Sequence, residues 1–303
     1  MTRANLFAGL SWSVLSILCW APMFSVAKRT LPHLDAFALA TARYLVGVLL
    51  LVLLLVAVEG RDALRYQGKL AAATLFGLVG ITGFNLCVWI GLAFTAPEHA
   101  SIILALQTPL TALAVWLARG PRPAAFTLGC VAVAIAGVLL VVSKGRLAVP
   151  AGSLLGDLLV LAGAVTWVIY TLAAGYFAGW SPLRLTTLTC IPGLAGLMLA
   201  HGVAIAAGWA GVPSGQAVAS VAWQLAYFSI CSVVLGVLGF NNAARRLGPL
   251  NTMLMLNVIP LGVFGIEAAL GRSFTALELA GAVVVIASLA ANNLYLRGVS
   301  TRR

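Results

Sequence analysis

Charged side chains are scarce in this chain, and acidic ones nearly absent. Seven Asp and Glu stand in 303 residues, and charged residues of both signs make up 8%. A soluble domain carries about 25%, so no water-facing shell can be assembled from this sequence. Histidine is equally thin: His33, His99 and His201 lie far apart. No HExxH, GxSxG or CxxC occurs, which removes the usual signatures of zinc hydrolases, serine hydrolases and thiol redox centres. Cys19, Cys87, Cys130, Cys190 and Cys231 are widely spaced in apolar segments and read as small packing residues. No run of Lys and Arg exceeds two, so the net charge of +11 does not make a nucleic-acid surface. No metal, cofactor or nucleic-acid partner is expected. Short alternating apolar stretches, the mark of a membrane barrel, are missing too.

What the chain has instead is 62% hydrophobic residues in runs of about 20, the length that crosses a bilayer as a helix. Charge and Pro/Gly breaks divide it into ten spans: 5–27, 34–58, 69–94, 97–118, 123–143, 153–177, 183–208, 218–243, 248–270 and 275–297. The first run is too long for a signal-peptide core and reads as a retained helix. Ten spans place both termini on one side of the lipid bilayer. Twelve basic residues fall there: Arg3, Arg61, Arg65, Lys69, Arg119, Arg122, Arg184, Arg245, Arg246, Arg297, Arg302 and Arg303. Five fall opposite, namely Lys28, Arg29, Lys144, Arg146 and Arg272, and Arg43 lies within a span. The positive-inside rule then puts the termini in the cytoplasm.

An internal repeat runs through these spans. "SILCW" (Ser16–Trp20) resembles "GAVTW" (Gly163–Trp167) at an offset of 147, which also pairs Gly9 with Gly156 and Ala27 with Ala174. "LALQTPL" resembles "MLNVIPL", pairing Pro109 with Pro260 at an offset of 151, and Gly129 meets Gly281 at 152. Each copy, 1–148 and 149–303, holds five helices. Five is odd, so the second copy enters the membrane from the other side. Inverted repeats of this kind are the architecture of secondary transporters, with the substrate near the midplane between the halves.

The residues that carry the repeat also carry a resemblance. "ILCWAPMFSVAKRTLPHLDAFALATARYL", with Trp20, Phe24, Lys28 and Arg43, and "GDLLVLAGAVTWVIYTLAA", with Gly156, Asp157, Trp167 and Tyr170, resemble the drug/metabolite transporter superfamily in its ten-helix EamA-type branch. The similarity covers nearly the whole chain and is nearest to the aromatic and broad-range amino-acid exporters. It implies an inner-membrane exporter of small metabolites, with amino acids as the first expectation and drugs or other amphipathic solutes as the alternative. It further implies a cavity lined by helices 1, 3, 4, 6, 8 and 9, with helix 2 peripheral. The Glu that family members often carry just after helices 4 and 9 is missing here: "LARGPRP" has none, and Arg272 stands in the second copy. Helix 1 also lacks the mid-helix Glu with which small multidrug exporters bind cations.

Polar groups within spans are costly in lipid and mark function. The candidates for substrate contact are Trp20, Asn85, Trp89, Gln107, Trp167, Tyr170, Tyr227 and Asn257; hydrogen bonding between helices is the competing role. Pro22 loosens helix 1 by removing one backbone bond and is the candidate gating point. Asp157 and Glu267 are candidates for proton coupling. Arg43 reads either as a carboxylate partner or as a structural residue that pairs with Asp35 or Asp157 or snorkels; a peripheral helix 2 favours the structural role. "GLVGITG" (Gly77–Gly83) lacks the Lys-Ser/Thr of a phosphate loop and reads as close helix packing. A membrane enzyme or a channel is the alternative of another class, and neither a catalytic motif nor a ring of like pore-lining groups supports one. The chain is expected to act as a monomer.

Overall fold

A computed structural model describes residues 3–119, 124–143 and 151–300. Arg122, Lys144, Arg146, Arg302 and Arg303 of the charge bias lie outside the described residues. The described residues form an all-helical bundle of ten long helical segments. These are α1 (Arg3–Thr30), α2 (Ala36–Glu59), α3 (Leu70–Phe94), α4 (Pro97–Leu117), α5 (Ala125–Ser143), α6 (Ala151–Ala173), α7 (Pro182–Ala206), α8 (Ala222–Leu247), α9 (Asn251–Ala269) and α10 (Ala276–Ser300). Nine are long and apolar enough throughout to cross a membrane, and α10 adds a shorter apolar stretch, Ala276–Asn292. Large apolar side chains such as Leu18, Leu49, Leu53, Leu139 and Leu199 point outward, as a lipid-facing surface requires.

The ten helices are two five-helix repeats in inverted relation, and the packing shows it. Exchanging α1–α5 with α6–α10 maps each major contact onto another. α3 packs on α6, and its image, α8, packs on α1; α2 packs on α7 and α5 on α10, pairs that map onto themselves. Small residues let these backbones approach. A Cβ on Gly91 would lie 2.7 Å from the Gly156 carbonyl oxygen, and one on Gly156 would lie 2.7 Å from that of Gly91. Gly137 and Gly281 face each other in the same way where α5 crosses α10.

Departures from regular helix also recur in both copies. α3 widens into π-helical turns over Leu78–Gly83, and α8 does so over Phe228–Val237. α4 breaks at Leu106, between pieces Pro97–Ala105 and Gln107–Arg119; α9 breaks at Asn257–Val258, between Pro249–Leu256 and Ile259–Ala269. Pro109 and Pro260 cause both breaks. Each lacks the N–H that would bond four residues back, to Ala105 or Leu256, and its ring crowds that carbonyl. Interrupted helices at matching positions of two inverted halves point to the binding site of a transporter. By contrast, α1 runs unbroken through Pro22.

The two ends of the bundle are held differently. At the end that carries Lys28, the Lys28 Nζ donates to the carbonyls of Leu92 (2.7 Å) and Thr95 (2.6 Å), capping α3. Arg29 pairs with Glu267 at 3.3 Å, and Arg272 pairs with Glu98 and Glu278. These ties join α1, α3, α4, α9 and α10. At the end that carries Asn5, basic residues hold backbone oxygens instead: Arg245 the Trp180 carbonyl, Lys69 that of Tyr176 and Arg184 that of Arg65.

Candidate functional site

A cavity lies between the two halves, bounded by α1, α2, α3, α4, α6, α8 and α9. Its walls include Trp20, Met23, Phe24, Arg43, Tyr44, Phe84, Ser101, Gln107, Trp167, Ser232, Met253 and Asn257. Both helix breaks open onto it, through Ala105 and Gln107 on one side and Leu256 and Asn257 on the other. Irregular backbone at membrane depth is tolerated where it lines such a space. The cavity measures about 50 Å³, room for a few waters. A solute of amino-acid size therefore requires its walls to move apart.

Two tryptophans from the matched positions meet here. The Trp20 and Trp167 rings are 5.7 Å apart and nearly perpendicular, and Phe240 lies 5.7 Å from the first and 5.3 Å from the second. Phe84 stacks on Trp167 at 4.9 Å. Trp20 Nε1 donates to the Ser232 carbonyl at 3.0 Å, anchoring α1 to the π-helical part of α8. Gln107 and Asn257 line the cavity, and the Thr108 hydroxyl reaches Asn257 Oδ1 at 3.3 Å, linking the two broken helices.

The other sequence candidates surround the cavity rather than line it. Asn85 donates to the Ile81 carbonyl (2.6 Å), accepts from Trp89 Nε1 (2.9 Å) and reaches the Tyr44 hydroxyl of α2, so it ties α3 to the cavity wall. Tyr170 accepts from Asn241 Nδ2 at 3.0 Å, and the same amide donates to Thr186 at 2.8 Å, joining α6, α7 and α8. Tyr227 donates to the Cys19 carbonyl at 2.5 Å, three residues before Pro22. Asp157 is buried, accepts from Thr95 at 2.5 Å and lies 3.9 Å from His99. Glu267 is in its pair with Arg29.

Two corrections follow for α2. It is not peripheral, since Arg43 and Tyr44 form part of the cavity wall. Arg43 also pairs with neither Asp35 nor Asp157: Asp35 caps α2 through the Phe37 and Ala38 N–H groups, and Asp157 sits on Thr95. Nor does Arg43 snorkel, being 2% exposed. Sequence reading also missed Glu98, completely buried at the start of α4. Its place in the first helical turn makes it look like a dipole partner, and only the approach of Arg272 from the far end of the chain shows the network it belongs to.

A second pocket, of about 250 Å³, opens at the Asn5 end between Thr171, Trp180, Asn241, Arg245 and Pro249. One helical turn of α6 and of α8, carrying Tyr170 and Phe240, separates its walls from those of the central cavity.

The sequence model of the EamA-like transporter family matches the chain twice, over residues 7–143 and 154–294. The chain belongs to the EamA-like transporter family. The two matches start 147 residues apart, the offset that separates Trp20 from Trp167, so one family unit underlies each five-helix half. Among its relatives, an uncharacterized transporter of Bacillus subtilis, YrdR, is 29% identical over 98% of this chain and 94% of its own. A second from the same organism, YyaM, is 27% identical over 87% and 86%. A solved crystal structure superposes over 99% of both chains with a TM-score of 0.71 and 17% identity, a likeness of fold alone.

Proposed function

We propose that this EamA-like transporter exports small metabolites, foremost aromatic and other neutral amino acids, by alternating access through the central cavity. The observation that carries the reading is the meeting of two proline-broken helices and two repeat-matched tryptophans at one cavity between the halves. Trp20 and Trp167 offer flat apolar faces for a solute body. The breaks offer polar groups to its head, because Pro109 and Pro260 cannot donate to the Ala105 and Leu256 carbonyls. Trp20, Gln107, Trp167 and Asn257 contact the solute in this reading; Asn85, Trp89, Tyr170 and Tyr227 hold the helices that present them. Pro22 lets α1 bend as the cavity opens.

The membrane is the bacterial inner membrane and the termini are cytoplasmic, as the basic bias at the Asn5 end suggests. The ion pairs then close the outer end, and the pocket at Arg245 faces the cytoplasm. A reporter fused after Arg303 should be active only in its cytoplasmic form; activity only in the periplasm reverses the orientation. In proteoliposomes, counterflow of radiolabelled phenylalanine and other neutral amino acids is expected, with nucleotide sugars and cationic dyes excluded. Uptake of dyes without amino acids would replace this reading with that of a drug exporter.

Coupling to protons falls to the acids tied into the outer end. Asp157→Asn, Glu267→Gln and Glu98→Gln are each expected to abolish uptake driven by an imposed pH gradient and to leave exchange intact. A full response to the gradient in all three variants removes them from the coupling step.

A further inference from the structure

We propose that Arg43 is the seat of a solute carboxylate, and that this group is what the transporter recognises. The inference rests on the transport reading above and narrows its substrate class. Arg43 is 2% exposed and forms part of the cavity wall. Its guanidinium carbon lies 4.7 Å from the Trp89 ring, 5.2 Å from Tyr44 and 5.5 Å from Phe228. Nη1 donates to the Met23 sulfur at 3.7 Å, a weak acceptor, the guanidinium also reaches the neutral Tyr44 hydroxyl, and Nε has no hydrogen-bond partner among the described residues.

The chain has seven Asp and Glu side chains, and all seven lie among the described residues. Asp35 caps α2, Glu59 accepts from Ser181, and Asp62 pairs with Arg65. Asp157 holds Thr95, Glu267 holds Arg29, and Arg272 holds Glu98 and Glu278. Every acid is engaged away from Arg43. Three aromatic rings offset part of the cost of a desolvated guanidinium, but a buried charge ordinarily needs an ion partner, and within a membrane such a group marks a substrate path.

The missing partner is an anion that enters the cavity. A carboxylate fits best. Its two oxygens match the guanidinium fork, and its single charge is neutralised by the single cation. A phosphate dianion would keep an uncompensated charge among apolar walls. Among the described residues no acid lines the cavity, so an amine without a carboxylate meets only like charge there.

The test uses the purified full-length protein and the rise in melting temperature that ligand binding produces. The ligands are phenylalanine, 3-phenylpropionate (carboxylate without ammonium), phenylalaninol (ammonium without carboxylate) and a series of aliphatic carboxylates. Phenylalanine and 3-phenylpropionate should stabilise the wild type, and phenylalaninol should not. Arg43→Met should weaken the carboxylate response about 100-fold or more, the effect of removing one member of a buried charge pair. Arg43→Lys keeps the charge without the fork and should lose about tenfold. Without ligand, Arg43→Met should melt at or above the wild-type temperature, since an apolar side chain replaces an unpaired buried charge. If the simple carboxylates bind and phenylalanine does not, the amino-acid reading fails and the Arg43 assignment stands. The assignment is overturned if phenylalaninol binds as well as phenylalanine, if Arg43→Met keeps its ligand response, or if no carboxylate shifts the wild type. A melting temperature of Arg43→Met far below wild type also overturns it, marking a packing residue. Should that variant not fold, an undiminished response in Arg43→Lys decides against the fork.

Discussion

Trp20→Ala and Trp167→Ala are each expected to lower the transport rate per folded molecule about tenfold or more, on the scale of two lost aromatic contacts. Each ring has one side in the aromatic cluster and another on the cavity. Truncation therefore also costs stability, about 3 kcal/mol, the lower end for a tryptophan core truncation because the cavity side is already unpacked. Trp20→Phe separates the two contributions. It keeps an aromatic body and removes the N–H that holds the Ser232 carbonyl, a bond worth about 1 kcal/mol. Thermal denaturation and counterflow on the same preparations measure both. Normal transport by destabilised Trp→Ala variants would show that these rings only pack, and that the solute binds elsewhere.

Valine at Gly91 or Gly156 is expected to be worse for folding than either tryptophan truncation. The two glycines place α3 and α6 backbone to backbone, and a single Cβ on either would come within 2.7 Å of a carbonyl oxygen. Neither helix can yield without opening the interface between the halves. A cost above the usual overpacking range of about 1–3 kcal/mol is expected, together with loss of the folded, membrane-extractable protein. Gly129→Val is the control, because a Cβ there meets nothing within 4 Å. Equal expression and melting temperature of Gly91→Val, Gly156→Val and Gly129→Val would refute close packing at this crossing.

Much of the fold was legible because membrane helices announce themselves by length and apolarity, and the spans read from sequence fall within a few residues of the helices seen. The eighth is the exception. It was placed from 218, whereas a separate short helix, Gly215–Ser220, precedes α8, which begins at Ala222. Composition alone cannot divide apolar residues between an interfacial turn and a span. The repeat was visible at Trp20 and Trp167 and at Pro109 and Pro260, because tryptophan and proline are rare enough to register above an Ala/Leu background. For Arg43 the sequence left two readings open, a carboxylate partner and a structural residue, and favoured the second. Whether a charge is paired depends on residues hundreds of positions away, and only the placement of every acid in the fold shows that none reaches it. Glu98 was hidden for the same reason in reverse, since its partner Arg272 lies on the far side of the chain.

The two copies share a scaffold but not its charges. At the offset that matches Trp20 to Trp167, the position of Arg43 falls on Cys190, and the helices at one end are tied partly by ion pairs, where basic residues at the other end hold backbone oxygens. Two identical halves exchanging shapes would give mirror states of equal free energy, and the empty carrier would dwell in each for the same time. With the charges arranged differently on the two sides of that exchange, the degeneracy is lifted. A difference of ~1.4 kcal/mol already makes one resting orientation tenfold more populated than the other. The direction in which such a carrier waits is therefore written in a few unmatched side chains, not in its architecture.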